Sequence, residues 1–283
     1  MEGPFAFTWG DWYLNWREFC CNHALSTGAM SVLAVIPARL GATRLPRKPL
    51  RLLGGEPLIL RVAQRVRDMA GLDEVVVATE SDEVAALCRR HAIPVAMTRE
   101  THPSGTDRVA EVAAMTRYAH HDIIVNVQGD EPFMPADAVL GAVDVVRTRR
   151  APIGTAAAAA SPEILRQPAV VKVVCDDAGR ALYFSRAPIP WLRDEADGPD
   201  LGPLVRQHLG VYAFTREALA QWIGWPPHPL ERVERLEQLR PMAHGLTIAV
   251  ATAAVAEGGI DTEEDLARAN ARWDAMTLSG MPV

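Results

Sequence analysis

From Val32 onward, short apolar and β-branched runs alternate with longer amphipathic stretches. The run SVLAVIPAR is apolar at nearly every position and is bounded by Pro37, which is the pattern of a strand buried on both faces. After it the periodicity predicts a helix over about 57–71, a strand at EVVVAT, a helix over 82–92, a strand at PVAM, a helix over about 107–119 and a strand at DIIVNVQ. Strands of four to six residues separated by helical spans of ten to fifteen imply βαβ crossovers and a mostly parallel sheet. Pro57 in a first turn, Ser81 or Asp82 as caps, and Asp107 near the third helix mark the helix starts.

Further on, the run from Thr155 to Ser161 contains five alanines, which favour helix by propensity, yet Gly154 and Pro162 leave room for little more than a strand. No element is assigned between DIIVNVQ and this run. VVKVVCDDAGRALYF holds two β-rich runs divided by Asp-Asp-Ala-Gly, a hairpin signature. The segment from Asp194 to Pro203, acidic and rich in Gly and Pro, reads as a flexible loop. HLGVYAF reads as a strand, followed by helices over about 216–222 and 229–239, a strand at 246–250 and a final helix from about Thr262. The class is α/β.

Hydrophobic residues make up 49% of the 283 positions and charged residues 23%, enough for a sizeable core. No uninterrupted apolar run reaches the roughly 18 to 20 residues that a membrane span needs, so no membrane partner is expected. A net charge of −6 has the wrong sign for coating nucleic acid, so any phosphate binding must be local. The four cysteines (Cys20, Cys21, Cys88 and Cys175) form no C-x-x-C pair, which fits buried or incidental thiols in a reducing cytoplasm. Residues 1–29 hold Trp9, Trp12 and Trp16 but lack the features of a secretory signal, and are expected to be an extension outside the core fold.

Between Ser31 and Gly55 stand five cations, Arg39, Arg44, Arg47, Lys48 and Arg51, and no acid. They follow the first strand, where open α/β sheets bind ligands beyond the carboxyl ends of their strands. Arginines there can engage phosphate oxygens bidentately, and Gly41 allows close backbone approach. Neither G-x-G-x-x-G nor G-x-x-x-x-G-K-[ST] occurs in this loop, which disfavours a nicotinamide oxidoreductase and a P-loop kinase. The pattern that remains is a Rossmann-like nucleotidyltransferase fold. DIIVNVQGDEPF places Asp130 at a strand end, suited to a magnesium ion that prefers one or two carboxylates plus phosphates and waters. Asp261 is the candidate second acid, although in isolation an Asp beside a Thr-x-x-Asp pattern reads as a cap or turn residue.

Taken together, PARLGATRLPRKPL, HPSGTDR, VNVQGDEPF, ALYFSRAPIPW, HLGVYAF, PLERVERLEQLR and GIDTEEDL resemble, in collinear order from about residue 32 to 272, the 3-deoxy-manno-octulosonate cytidylyltransferase family. The resemblance implies a cytoplasmic, usually homodimeric enzyme that makes CMP-Kdo and pyrophosphate from CTP and Kdo for lipopolysaccharide synthesis and needs Mg²⁺. Carried over residue by residue, it implies a triphosphate clasp at Arg39, Arg44 and Lys48 and a cytidine pocket at His102, Pro103, Ser104, Gly105 and Thr106. Gln128 and Asp130 would face the reacting phosphate, with Asp130 and Asp261 as metal ligands and Lys48, Arg39 and Asp130 as catalytic groups. Arg186, His208, Tyr212, Glu237 and Gln238 match the sugar side.

The expected organisation is a nucleotide-binding half at 30–153, an inserted smaller sugar-binding and dimerisation region at 154–245, and a return to the core at 246–283. Two positions depart from the family pattern S-T-R-L-P-G-K-P: Ala42 replaces the serine and Arg47 the glycine. If that glycine needs positive φ, an arginine costs roughly 1 kcal/mol or more there. Arg47 is also a candidate for an added phosphate contact. A cytidylyltransferase for another acidic keto-sugar, such as a sialic acid, and a nucleotide-sensing protein without turnover are the competing readings.

Overall fold

The first apolar run forms β1 (Val32–Pro37), with Val32 to Ile36 entirely out of solvent. The computed structural model describes residues 30–41, 44–194, 198–256 and 258–279, so the expected extension at 1–29 lies outside the described residues. After a one-turn 3₁₀ segment at Lys48–Leu50 come a small hairpin, β2 (Leu52–Leu53) and β3 (Glu56–Pro57), and then α1 (Leu58–Arg67), β4 (Glu74–Thr79), α2 (Asp82–Arg90), β5 (Val95–Met97), α3 (Gly105–Ala114) and β6 (Ile123–Asn126). Then come α4 (Ala136–Arg147), β7 (Ile153–Ala159), β8 (Lys172–Cys175), β9 (Ala181–Ser185), α5 (Gly198–Leu201) and β10 (Arg206–Thr215). The chain continues through α6 (Arg216–Gly224), α7 (Pro229–Glu234), α8 (Leu239–Ala243), β11 (Ile248–Ala253) and α9 (Glu263–Ser279).

Among the described residues one nine-stranded sheet runs β11-β7-β10-β6-β1-β4-β5, with the β8–β9 hairpin joined to β10. β1 is parallel to β4 and β6, and β7 to β11, whereas β10 is antiparallel to both β6 and β7. The sheet is therefore mostly parallel in strand direction, with β10 reversed near its middle and β9 reversed in the hairpin beside it. β1 lies in the parallel part of the sheet, and its side chains are out of solvent on both faces, which is why its run is apolar at nearly every position.

The alanine run is a strand, as read from its flanking residues, and the packing supplies the reason. A Cβ on Gly154 would lie 2.1 Å from Ala142 O, and one on Gly141 would lie 2.8 Å from Ala251 Cβ. Small residues on both partners let α4 press directly onto β7 and β11. α4 has no clear signal in the sequence: its valines favour strand by propensity, and its helical face is visible only once Ala138, Val139, Ala142, Val143 and Val146 are buried against the sheet.

Four boundary expectations are corrected. The helix read over 107–119 ends at Ala114, because Met115 is extended, and a separate 3₁₀ turn covers Thr116–Tyr118. Its cap is Ser104, whose hydroxyl accepts from Asp107 N, and not Asp107. The helix read over 229–239 is broken into α7 and α8 by Arg235, which is left-handed at φ 56°. Within the segment read as a loop from Asp194, residues 198–204 form the short α5 and a 3₁₀ turn. Ser81 caps α2 as expected, accepting from Val84 N.

Candidate active site

The parallel strands β1 and β6 end side by side, and their following loops must share the space beyond. Gly129, after β6, makes this possible: a Cβ there would lie 2.6 Å from Pro37 O at the end of β1. The loop after β1 is tied down by Ala38 N donating to Ala78 O (2.8 Å) and by Leu40 N donating to Glu80 Oε1 (3.0 Å). It is anchored by fully buried Leu45 and ends in the 3₁₀ turn that carries Lys48. Ile260 N donates to Asp130 O (2.9 Å), drawing the segment before α9 against the β6 loop. Thr262 caps α9, its hydroxyl accepting from Asp265 N, while Asp265 Oδ2 accepts from the backbone N–H groups of Asp261 and Thr262. The Asp261 carboxylate is thus not used as the cap.

It turns to Lys48. Lys48 Nζ donates to Asp130 Oδ2 at 2.6 Å and to Asp261 Oδ1 at 2.8 Å, and Arg44 Nη2 lies 3.0 Å from Asp261 Oδ2. Burial pulls the Lys48 ammonium toward a lower pKa, but the charges and hydrogen bonds of the two carboxylates outweigh it, and the net shift is upward. Glu131, which the sequence places at the same strand end without a role, is their neighbour. Its Oε1 would be 3.2 Å from a Cβ on Gly210 and its Cγ 3.4 Å from one on Gly259, so the side chain is enclosed between two glycines. Burial first, then repulsion by Asp130 and Asp261, pushes its carboxyl up to about 8.

Arg44, Lys48, Asp130 and Asp261 border a cleft of about 360 Å³, whereas Glu131 does not line it. Of the expected nucleotide residues, Arg39, Arg44, Lys48, His102, Pro103, Ser104, Gly105 and Gln128 all line it, with Asp130 and Asp261. His102 is held by Glu111, whose carboxylate meets its Nε2 and also accepts from Arg99 N at 3.0 Å. Thr106 does not line the cleft; its hydroxyl donates to Glu237 Oε2 (2.9 Å). Arg108 was not singled out from HPSGTDR, yet it borders the cleft at 3% exposure, paired with Glu80 (2.8 Å) and bonded to Thr98. Only its burial distinguishes it from a surface arginine.

Of the expected sugar residues, Glu237 alone borders the cleft. Burial raises its carboxyl above the ordinary range, opposed by hydrogen bonds from Thr106 and Ser104. Tyr212 lies beneath, 8% exposed, its hydroxyl raised by burial and by Glu237 and Glu131. A register shift in β10 between Leu209 and Tyr212 leaves Gly210 O free to accept from Gln128 Nε2 at 3.2 Å. In the same bulge Thr155 Oγ1 donates to Val211 O (2.7 Å) and meets His208 Nε2 at 2.9 Å. With the hydroxyl proton so used, His208 must donate from Nε2. Burial depresses its pKa to about 3, so the ring is neutral. Gln238 is buried at the start of α8 away from the cleft lining. Arg186 is bonded to the carbonyls of Glu234 (3.0 Å), Pro168 (3.0 Å) and Ala169 (3.2 Å) and does not line the cleft.

Arg47 has φ 57°, the left-handed region that favours glycine, and its guanidinium meets both oxygens of Glu83 at 2.5 and 2.6 Å. The guanidinium thus forms an ion pair with the first turn of α2, and a phosphate contact by Arg47 would have to compete with Glu83. The two aspartates fit a magnesium ion by donor chemistry: hard carboxylate oxygens converge at one cation position beside a basic cleft. A second potential metal group, Glu74, His120 and His121, lies where β4 and β6 begin, but Glu74 already pairs with Arg117 at 3.0 Å.

Comparison with known proteins gives a consistent result. The family model described as Cytidylyltransferase matches residues 33–248. A 3-deoxy-manno-octulosonate cytidylyltransferase of Gemmatimonas aurantiaca is 64% identical over 247 residues, covering 87% of this chain and 96% of the relative. One from Leptothrix cholodnii is 46% identical, covering 85% and 90%. The solved structure of a CMP:2-keto-3-deoxy-manno-octonic acid synthetase complexed with CTP superposes with a TM-score of 0.80 at 36% identity, covering 87% of this chain and 99% of that one.

Proposed function

Since the chain belongs to the cytidylyltransferase family, we propose that it transfers CMP from CTP to Kdo, releasing pyrophosphate and supplying CMP-Kdo for lipopolysaccharide synthesis. The convergence of Lys48, Asp130 and Asp261 from three distant stretches of chain on one point of a basic cleft carries this reading. The names of the similar proteins support Kdo as acceptor.

In the proposed reaction the anomeric hydroxyl of Kdo attacks the α-phosphorus of CTP in line with departing pyrophosphate. Such a transfer asks the protein for little covalent work, so rate comes from positioning and charge neutralisation. Arg39, Arg44 and Lys48 hold the triphosphate, and the segment from His102 to Thr106, braced by Glu111 and Glu237, receives the cytidine. Gln128, fixed on Gly210 O, and Asp130 face the reacting phosphate. Asp130 and Asp261 would hold Mg²⁺, which when bound neutralises phosphate charge and acidifies a hydroxyl. Glu237, with His208, Tyr212, Gln238 and Arg186, serves the sugar side, all but Glu237 from behind the cleft lining.

In this reading residues 30–153 form the nucleotide half, 154–245 the sugar and dimer region, and 246–283 the return that brings Asp261. The working enzyme is a cytoplasmic homodimer; among the described residues no helix is long and apolar enough to cross a membrane. Pyrophosphate release from CTP, Mg²⁺ and Kdo, beside a panel of other acidic keto-sugars and nucleotides, tests the proposal. The highest kcat/KM should belong to CTP with Kdo. A higher value for a sialic acid would reassign the acceptor, and no release with any pair would reject catalysis.

A further inference from the structure

The acids proposed to hold a divalent ion are already bridged by a cation that belongs to the chain. Lys48 Nζ stands 2.6 Å from Asp130 Oδ2 and 2.8 Å from Asp261 Oδ1, with only 15% of its side chain exposed. An ammonium and a divalent ion cannot both occupy that point, since each needs the same carboxylate lone pairs and like charges a few ångströms apart repel strongly away from bulk water. The backbone beneath Lys48 is held, because Arg47 grips Glu83 and Pro49 is buried, but the four-carbon side chain can swing from a fixed base.

We infer that Lys48 is an internal counter-ion that must leave the Asp130–Asp261 pair before a divalent cation can enter it, so that a triphosphate, by drawing the ammonium to its own oxygens, opens the metal site. The inference rests on the proposed metal role of the two aspartates. Before a divalent ion binds, the ammonium offsets the repulsion between the two facing carboxylates. On binding, the same charge serves the nucleotide while the divalent ion takes over the acids. Linkage makes the effect reciprocal: whatever nucleotide adds to metal affinity, metal adds to nucleotide affinity.

Mn²⁺ binding to the full chain without nucleotide, read from the electron paramagnetic resonance signal of the free ion, provides the test. Lys48→Gln should bind Mn²⁺ about tenfold more tightly than the unaltered protein, a size typical of coupling between sites, whereas Lys48→Arg should show no gain. Adding Asp261→Asn to Lys48→Gln should abolish the increase. Equal affinities for Lys48→Gln and the unaltered chain would overturn the exchange, and so would a gain that survives Asp261→Asn. If Lys48→Gln is too unstable to titrate, Mn²⁺ must raise its melting temperature more than that of the unaltered chain, and an equal rise would count against the inference. CMP transfer that persists after EDTA treatment would instead sink the metal reading itself.

Discussion

The basic loop after β1 and the bulge in β10 lie close together and treat charge in opposite ways. In the loop, charges are kept and paired: Lys48 with Asp130 and Asp261, Arg44 with Asp261, Arg47 with Glu83 and Arg51 with Glu263. In the bulge, uncharged groups are packed instead: His208, its pKa depressed by burial to about 3, is bonded to Thr155 and packed edge-on to Phe184 at 4.9 Å, and Tyr212 lies buried beside it. A triphosphate needs mobile, strong counter-charge, whereas a sugar is recognised by fixed, directional donors and acceptors. In the proposed function one end of the sheet serves both needs, because two kinds of strand meet there, parallel β6 and reversed β10.

The contrast breaks most clearly at Lys48. Lys48→Ala should lower kcat/KM for CTP by about 100-fold or more, since in the proposed reaction this ammonium neutralises charge at the reacting phosphates. Arg51→Ala should change it by less than about threefold, because that guanidinium is already matched by Glu263 at 2.5 and 2.7 Å. Steady-state kinetics on the two variants would decide, and equal losses would reduce the loop to a diffuse electrostatic patch.

A smaller effect sharpens the other side. His208 is neutral in the fold but protonates in the unfolded chain near its ordinary value of 6.5, so its folded pKa of about 3 is depressed. Its contribution to stability is complete above about pH 6.5 and is lost as pH falls toward 3. His208→Gln should therefore shrink the drop in melting temperature between roughly pH 7 and pH 5 by roughly 4 °C. An unchanged drop in melts at the two pH values would show that the ring is not held neutral.

Arg47→Gly should do least. Glycine relieves a left-handed backbone costing about 1 kcal/mol, and it gives up a half-exposed ion pair worth about 0 to 1 kcal/mol. The KM for CTP should stay within about twofold, because Glu83, not phosphate, holds the guanidinium. A clear rise in KM would restore the phosphate contact that the sequence suggested.

The order of strands and helices was legible because side-chain periodicity is local: the apolar run of β1, the Ser81 cap and the hairpin of β8 and β9 each carry their signal within a few residues. Residue chemistry also marked the basic loop and Asp130. What folding alone decided was proximity and burial. Nothing local tells that Asp261, 213 residues from Lys48, gives up the role of cap for that of partner, or that Glu131 is enclosed beside it. Likewise α4 becomes a helix against β7 because Gly154 and Ala142 meet, and Arg108 is set apart only by being buried. Those outcomes depend on which surfaces pack together, and periodicity along a chain does not encode the distance between its remote parts.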